Sequence, residues 1–323
     1  MNGIRNPESN LTHNINFGTN NQETNIREIN LVDLPEPGSV DIVVGSPPCT
    51  QFSYANRGGN GNIEDGLIDV HKFLSIIQYL KPKYWAMENV PRVRDIINTL
   101  VAEHPDFIEF SELITFNEVV DSSEFGAPQR RKRMICGNFP HELFLSYRNI
   151  CPKYNMAEVL AQLESDRGQD IIFGHGKGEI TDHIKETFLN EEEERINREA
   201  KTYHPIYNKM AFPDSVHRPS RTVTSLCTRV SRESIVIEDS GRYRRLTVRE
   251  RAVLIGFPVN FQLYGKSFSS KLKMIGNAIP PQLTYHIFSA MVGKEYSPIN
   301  SQKHYTHTQP KLKTPHTLPT EPK

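Results

Sequence analysis

The sequence predicts an α/β fold of the doubly wound kind, interrupted by a smaller second region before the chain returns to it. Three short apolar runs read as strands, and amphipathic stretches at helical spacing separate them. That alternation breaks near His141 and resumes after about His217.

The first strand is VDIVVG, Val40 to Gly45, a continuous β-branched run that ends in a turn. In LIDVHKFLSIIQYL, Leu67, Val70, Phe73, Leu74, Ile77 and Leu80 fall on one helical face. YWAMENV is a second strand, stopped by Pro91, and RVRDIINTLVAEH a second helix. RKRMICGNF is a third strand. Residues 1–140 therefore form the front of the sheet, and 141–217 read as an insertion. There AEVLAQLESD and ETFLNEEEERINREA are helical and enclose the glycine-rich GQDIIFGHGKGEIT. Its three glycines fit neither GxGxxG nor a Walker loop, so a flexible loop is the reading. Residues 218–296 return to the first pattern. Thr247 and Glu250 make a capping box, and IPPQLTYHIFSAM is a helix with prolines in its first turn. Residues 297–323 lack periodicity and read as a disordered tail.

The chain has 323 residues, 37% hydrophobic and 24% charged, with a formal net charge of +0. No run is long and apolar enough for a membrane span, and MNGIRNPESN is not a secretory signal. The four cysteines form no CxxC pair and match no zinc spacing, which points to a reducing cytoplasm and no bound metal. A nucleic-acid binder with no net positive charge must gather its basic residues locally.

Four stretches carry candidate chemistry. In GSPPCTQFS, Cys49 follows two prolines just past a strand end, where open α/β sheets bind ligands; a rigid loop there presents a nucleophile. A buried structural thiol is the alternative. Glu88 ends the strand WAME, in apolar surroundings that suit a group holding a proton near neutral pH; otherwise it caps the next helix. In APQRRKR, Arg131 and Arg133 share one face of a strand and suit a ring oxygen or phosphate, unless the run is a solvated surface. Nine arginines fall from Arg218 to Arg251, among them Arg221, Arg229 and Arg232. They read as a phosphate-binding stripe or as a surface of local ion pairs.

In order, PPC with a nearby FS, ENV, QxRxR, RPSRTVT, RxLTxRExxxLxGFP and GNAIPP resemble the DNA cytosine-5 methyltransferase family from roughly Asn14 to Met291. The resemblance implies a Rossmann-like methyltransferase sheet and transfer of a methyl group from S-adenosylmethionine to C5 of a cytosine flipped out of double-stranded DNA. Cys49 would attack C6. Glu88 would contact N3 and the exocyclic amine, and Asn89 would fix the loop. Arg131 and Arg133 would line the base pocket, Arg133 on O2. Residues 141–217 would recognise the target site. Pro48 and Asn277 would lie beside the methyl donor. Thr50 stands where the family often has glutamine, with Gln51 next.

The front departs further. The family's F-x-G-x-G-G turn and the acid that ends its second strand have no counterpart, and Asn25 stands where an aspartate is usual. About 30 to 40 residues, one strand–helix–strand unit, are expected to be missing. The expectation is an incomplete methyltransferase, either truncated or one half of a split enzyme completed by a second polypeptide. A degenerate DNA binder is the alternative.

Overall fold

The computed structural model describes residues 7–21, 24–48, 63–165, 167–202, 210–225 and 227–299. Cys49, Thr50, Gln51 and the tail from 300 onward lie outside the described residues.

The main sheet contains β1 (Ile42–Gly45), β2 (Tyr84–Asn89), β3 (Phe116–Asp121) and β4 (Lys132–Asn138), in the order β1-β2-β4-β3. β1 and β2 are parallel, joined by a crossover that includes α2 (Ile63–Leu80), and α3 (Arg92–Glu103) follows β2. The expected strands and helices are present, but β4 runs antiparallel to both of its neighbours. β3 was not read from the sequence; exposed Glu118 at its centre breaks the apolar pattern.

Helices cover both faces of the sheet. Val70, Phe73, Leu74 and Ile77 of α2 and Val93 and Ile97 of α3 pack on Trp85, Met87, Met134 and Cys136. On the other face, Phe144 of α4 (His141–Ser146) and Leu283 and Ile287 of α9 (Pro281–Met291) pack on Ala86 and Ile135. Gly45 is required at the end of β1, because a Cβ there would stand 2.3 Å from the Phe73 ring. One edge of β1 pairs with β2; no strand among the described residues pairs with the other, and Val44 is 49% exposed.

A second core lies apart from the sheet. It joins Met156 and Val159 of α5 (Met156–Ala161) to Val223, to Ile237 of β5 (Val236–Asp239), to Val253 of α7 (Val248–Ile255) and to Ile275 of α8 (Phe268–Asn277). Residues from 141–217 and from 218–296 thus share one core. β5 and β6 (Arg242–Arg245) form a hairpin closed by Ser240 and Gly241, both at positive φ. The Thr247–Glu250 capping box forms as expected. The helix of the acidic stretch, α6 (Glu191–Thr202), starts later than read because Asn190 caps it in a box with Glu193. α1 (Pro7–Phe17) docks on the loop before α8, where Asn16 donates to Gln262 O at 2.7 Å and Glu8 accepts from Lys266 N at 3.0 Å.

Candidate active site

The parallel ladder of β1 and β2 ends at the pair Gly45 and Met87. Pro47 and Pro48 have no N–H to extend it. Side chains from β2 take over. The Ser46 hydroxyl donates to Glu88 Oε2 at 2.6 Å, and Asn89 Nδ2 donates to Pro47 O at 3.1 Å. Asn89 is fully buried, and its Oδ1 accepts from Val90 N. Two rungs made by side chains therefore hold the segment that leads to Cys49 against the end of β2.

The second oxygen of Glu88 faces Arg133. The Arg133 Nε lies 2.7 Å from Glu88 Oε1, and both side chains are largely shielded. The surroundings of Glu88 are thus polar and charged, not the apolar setting that WAME suggests. A hydroxyl, a carboxylate and a guanidinium meet at the carboxyl end of the parallel pair, an arrangement able to hold the amide-like edge of a pyrimidine.

Arg131 does not join them. Its guanidinium is buried, with Nη1 donating to Val223 O at 3.1 Å and Nη2 to Gly276 O at 2.5 Å. The expected common face of Arg131 and Arg133 is corrected on this point, because Arg131 precedes β4 and turns into the junction with the second core.

The arginine stripe is corrected too. Arg221 pairs with Asp214 at 2.6 Å, Arg229 with Glu193 at 2.5 Å and Glu186 at 3.2 Å, and Arg245 with Glu186 at 2.6 Å. Arg244 is buried between Asp239 and Glu250. Arg249 and Arg251 are buried. Arg232 Nε lies 3.2 Å from the Met210 sulfur. Arg221, Arg229 and Arg245 face carboxylates of the acidic insertion, which folds back over them, while Arg244 faces Asp239 and Glu250 and Arg249 donates to the carbonyl oxygens of Thr181 and Phe261. Arg218 remains exposed, and so does Arg130, which sequence reasoning passed over. A bridge between Gln129 and Ser220 and the bond from Arg130 N to Ser220 O bring those two segments side by side. In the glycine-rich loop, Lys177 is turned inward to Gln162 O and Ser165 O, so it is no phosphate cradle.

A methyl donor finds a partial fit. Pro48 stands at the carboxyl end of β1, and Asn277 is exposed at the end of α8. The Asn25 side chain is spent locally, accepting from Arg27 N and donating to Glu28. The open edge of β1 bears no strand-end carboxylate among the described residues. Burial pushes the Cys136 thiol up to about 12 and that of Cys151 to about 11, so neither is a ready nucleophile. Among the described residues no cluster of His, Cys, Asp or Glu fits a metal, and no helix is long and apolar enough to cross a membrane.

The profile of C-5 cytosine-specific DNA methylases matches residues 6–293. Type II methyltransferase M1.HphI of Haemophilus parahaemolyticus is 26% identical over 294 residues, covering 83% of this chain and 73% of its own. Type II methyltransferase M.AplI of Arthrospira platensis is 30% identical over 287 residues, covering 85% and 75%. A prophage-encoded E. coli protein described as a DNA modification methyltransferase shares the fold with a TM-score of 0.62 at 16% identity, covering 89% of this chain and 90% of its own. The Entamoeba histolytica methyltransferase EhMeth does so at 0.54 and 14%, covering 89% and 88%.

Two of these ion pairs set a pH dependence. Hydrogen bonds from Arg229 hold the Glu193 carboxyl at about 2, and Arg244 holds that of Asp239 at about 2. Both lie below the unfolded carboxylate range of about 4, so their contribution to stability is complete above that range and lost as pH falls through the folded value. Melting followed by circular dichroism is expected to show a steep loss of stability between about pH 4 and pH 2. Arg229→Met should reduce the part that belongs to Glu193; an unchanged profile would contradict the pairing.

Proposed function

This chain belongs to the C-5 cytosine-specific DNA methylase family, and we propose that it methylates C5 of a flipped cytosine in a specific duplex site with S-adenosylmethionine as donor. The observation that carries the reading is the meeting of Glu88, Arg133 and the Pro47–Pro48 segment at one end of the sheet. The Type II names of its relatives favour a role in restriction–modification.

The chain's own residues divide the work. Glu88 accepts from the exocyclic amine of the base through one oxygen and shares a proton with N3 through the other, and Arg133 steadies that carboxyl group while reaching O2. Asn89 fixes the loop through Pro47 O, so that the Cys49 thiolate meets C6. Addition of sulfur to C6 makes C5 nucleophilic. S-adenosylmethionine, when bound, supplies the methyl group. Loss of the C5 proton then expels the thiolate and restores the ring. Pro48 and Asn277 would form the donor's wall. The exposed Arg130 and Arg218 are the favoured phosphate contacts, in place of the paired Arg221 and Arg229.

Duplex DNA carrying 5-fluorocytosine tests this reading, because the fluorine at C5 cannot leave as a proton does. With S-adenosylmethionine and any completing fragment present, a covalent adduct is expected that survives denaturation and disappears in Cys49→Ser. An adduct that persists in that variant would remove Cys49 from its role.

A second reading rests on the open edge of β1. A continuous β-branched strand is typical of a sheet interior, yet Val44 is half exposed and one edge has no partner among the described residues. A second polypeptide carrying a strand–helix–strand unit would complete the sheet and the donor pocket. Titration calorimetry is expected to show weak or no binding of S-adenosylmethionine to this chain alone, and tight binding with that fragment added. Tight binding by the chain alone would dispose of the second polypeptide. DNA binding without methyl transfer under either condition would favour a degenerate binder.

A further inference from the structure

Ser46 belongs to no part of the mechanism described so far, yet its placement is specific. It follows the last ladder pair, Gly45 and Met87, and so stands level with Glu88 on the neighbouring strand. Pro47 and Pro48 prevent any backbone rung there. The Ser46 hydroxyl fills that place by donating to Glu88 Oε2 at 2.6 Å, while Arg133 takes Oε1 at 2.7 Å. Each carboxylate oxygen thus has one partner of the protein's own, the hydroxyl donor on Oε2 and the guanidinium ion pair on Oε1, and keeps a lone-pair direction for a ligand. With the guanidinium alone the carboxylate could swing about its Cγ–Cδ bond; a second donor on the other oxygen fixes its plane.

We propose that Ser46 is a positioning residue for Glu88: its hydroxyl sets the plane of the carboxylate that receives the cytosine edge. The proposal rests on the reading of Glu88 given above. Its chemistry is that of a charge-assisted hydrogen bond, short and directional. Ser46 is itself exposed, so water replaces part of the bond when the hydroxyl is removed. The loss is therefore modest in size and specific in kind. A carboxylate free to rotate binds DNA as before, since its phosphate contacts are elsewhere, but it spends less time in the orientation the transition state needs.

Methyl-transfer kinetics on Ser46→Ala, Ser46→Thr and Glu88→Gln, with whatever completing fragment activity requires, test it. In S46A, kcat is expected to fall about three- to tenfold with KM for DNA changed less than about twofold. S46T keeps the hydroxyl and should recover most of kcat. Unchanged kcat in S46A, or equal loss in S46T and S46A, overturns the positioning role. E88Q tests the underlying reading separately: full transfer by E88Q overturns the role of Glu88, whereas loss in E88Q with S46A unaffected overturns Ser46 alone. A measurement without turnover reads the same contact. With glutamate carboxyls labelled with 13C, and the Glu88 signal assigned by its absence in E88Q, that signal should move in S46A and return in S46T. A signal that stays in place in S46A overturns the proposal whatever the activity.

Discussion

The buried guanidinium of Arg131 joins the two cores of the molecule. It enters from the start of β4 and donates to Val223 O and Gly276 O, both carried by segments of the second core. Burying such a charge costs several kcal/mol unless its protons are satisfied. The carbonyls must therefore be delivered to it, which fixes where the returning chain and the end of α8 sit against the sheet. Gly276 allows that approach, since a Cβ there would stand 2.2 Å from Ser225 N. The Arg131 N–H is held as well, by Asp121 at the end of β3.

The same junction serves the site. Two positions beyond Arg131, Arg133 reaches Glu88, and one position beyond Gly276 stands Asn277. Holding Arg131 thus sets the Arg133–Glu88 pair and the α8 terminus together. The prolines after β1 do the rest. By ending the backbone ladder they leave Ser46 and Pro47 to be held by the side chains of Glu88 and Asn89, so the segment that leads to Cys49 is tied to the last two residues of β2. Loop and site are one unit in the physical sense that the same two side chains serve both.

Much of the sheet was legible because its signals are local. The β-branched run of β1, the helical spacing of α2, the stop at Pro91 and the Thr247–Glu250 box each depend on residues a few positions apart. Strand direction is not local; nothing in RKRMICGNF says that it runs antiparallel. β3 was hidden by its central acid, and the β5–β6 hairpin by its arginines, although its Ser-Gly turn was a usable signal. The order of the motifs pointed to Glu88, Asn89 and Arg133, but their partners were out of reach. Arg229 meets Glu186 across 43 residues of sequence and Arg245 meets the same carboxylate across 59. A stripe of arginines looks alike in sequence whether it faces phosphates or the chain's own acids. Only the fold decides, and it turns Arg221, Arg229, Arg244 and Arg245 to the acids.

The dependence of both cores on Arg131 is open to a direct measurement. Scanning calorimetry of the whole chain is expected to give one cooperative transition for the unmodified protein. In Arg131→Met, which keeps much of the volume but leaves two carbonyls without a donor, stability should fall by about 2 to 4 kcal/mol. The transition should also separate into two as the cores uncouple. A single transition at the original temperature in that variant would contradict the account.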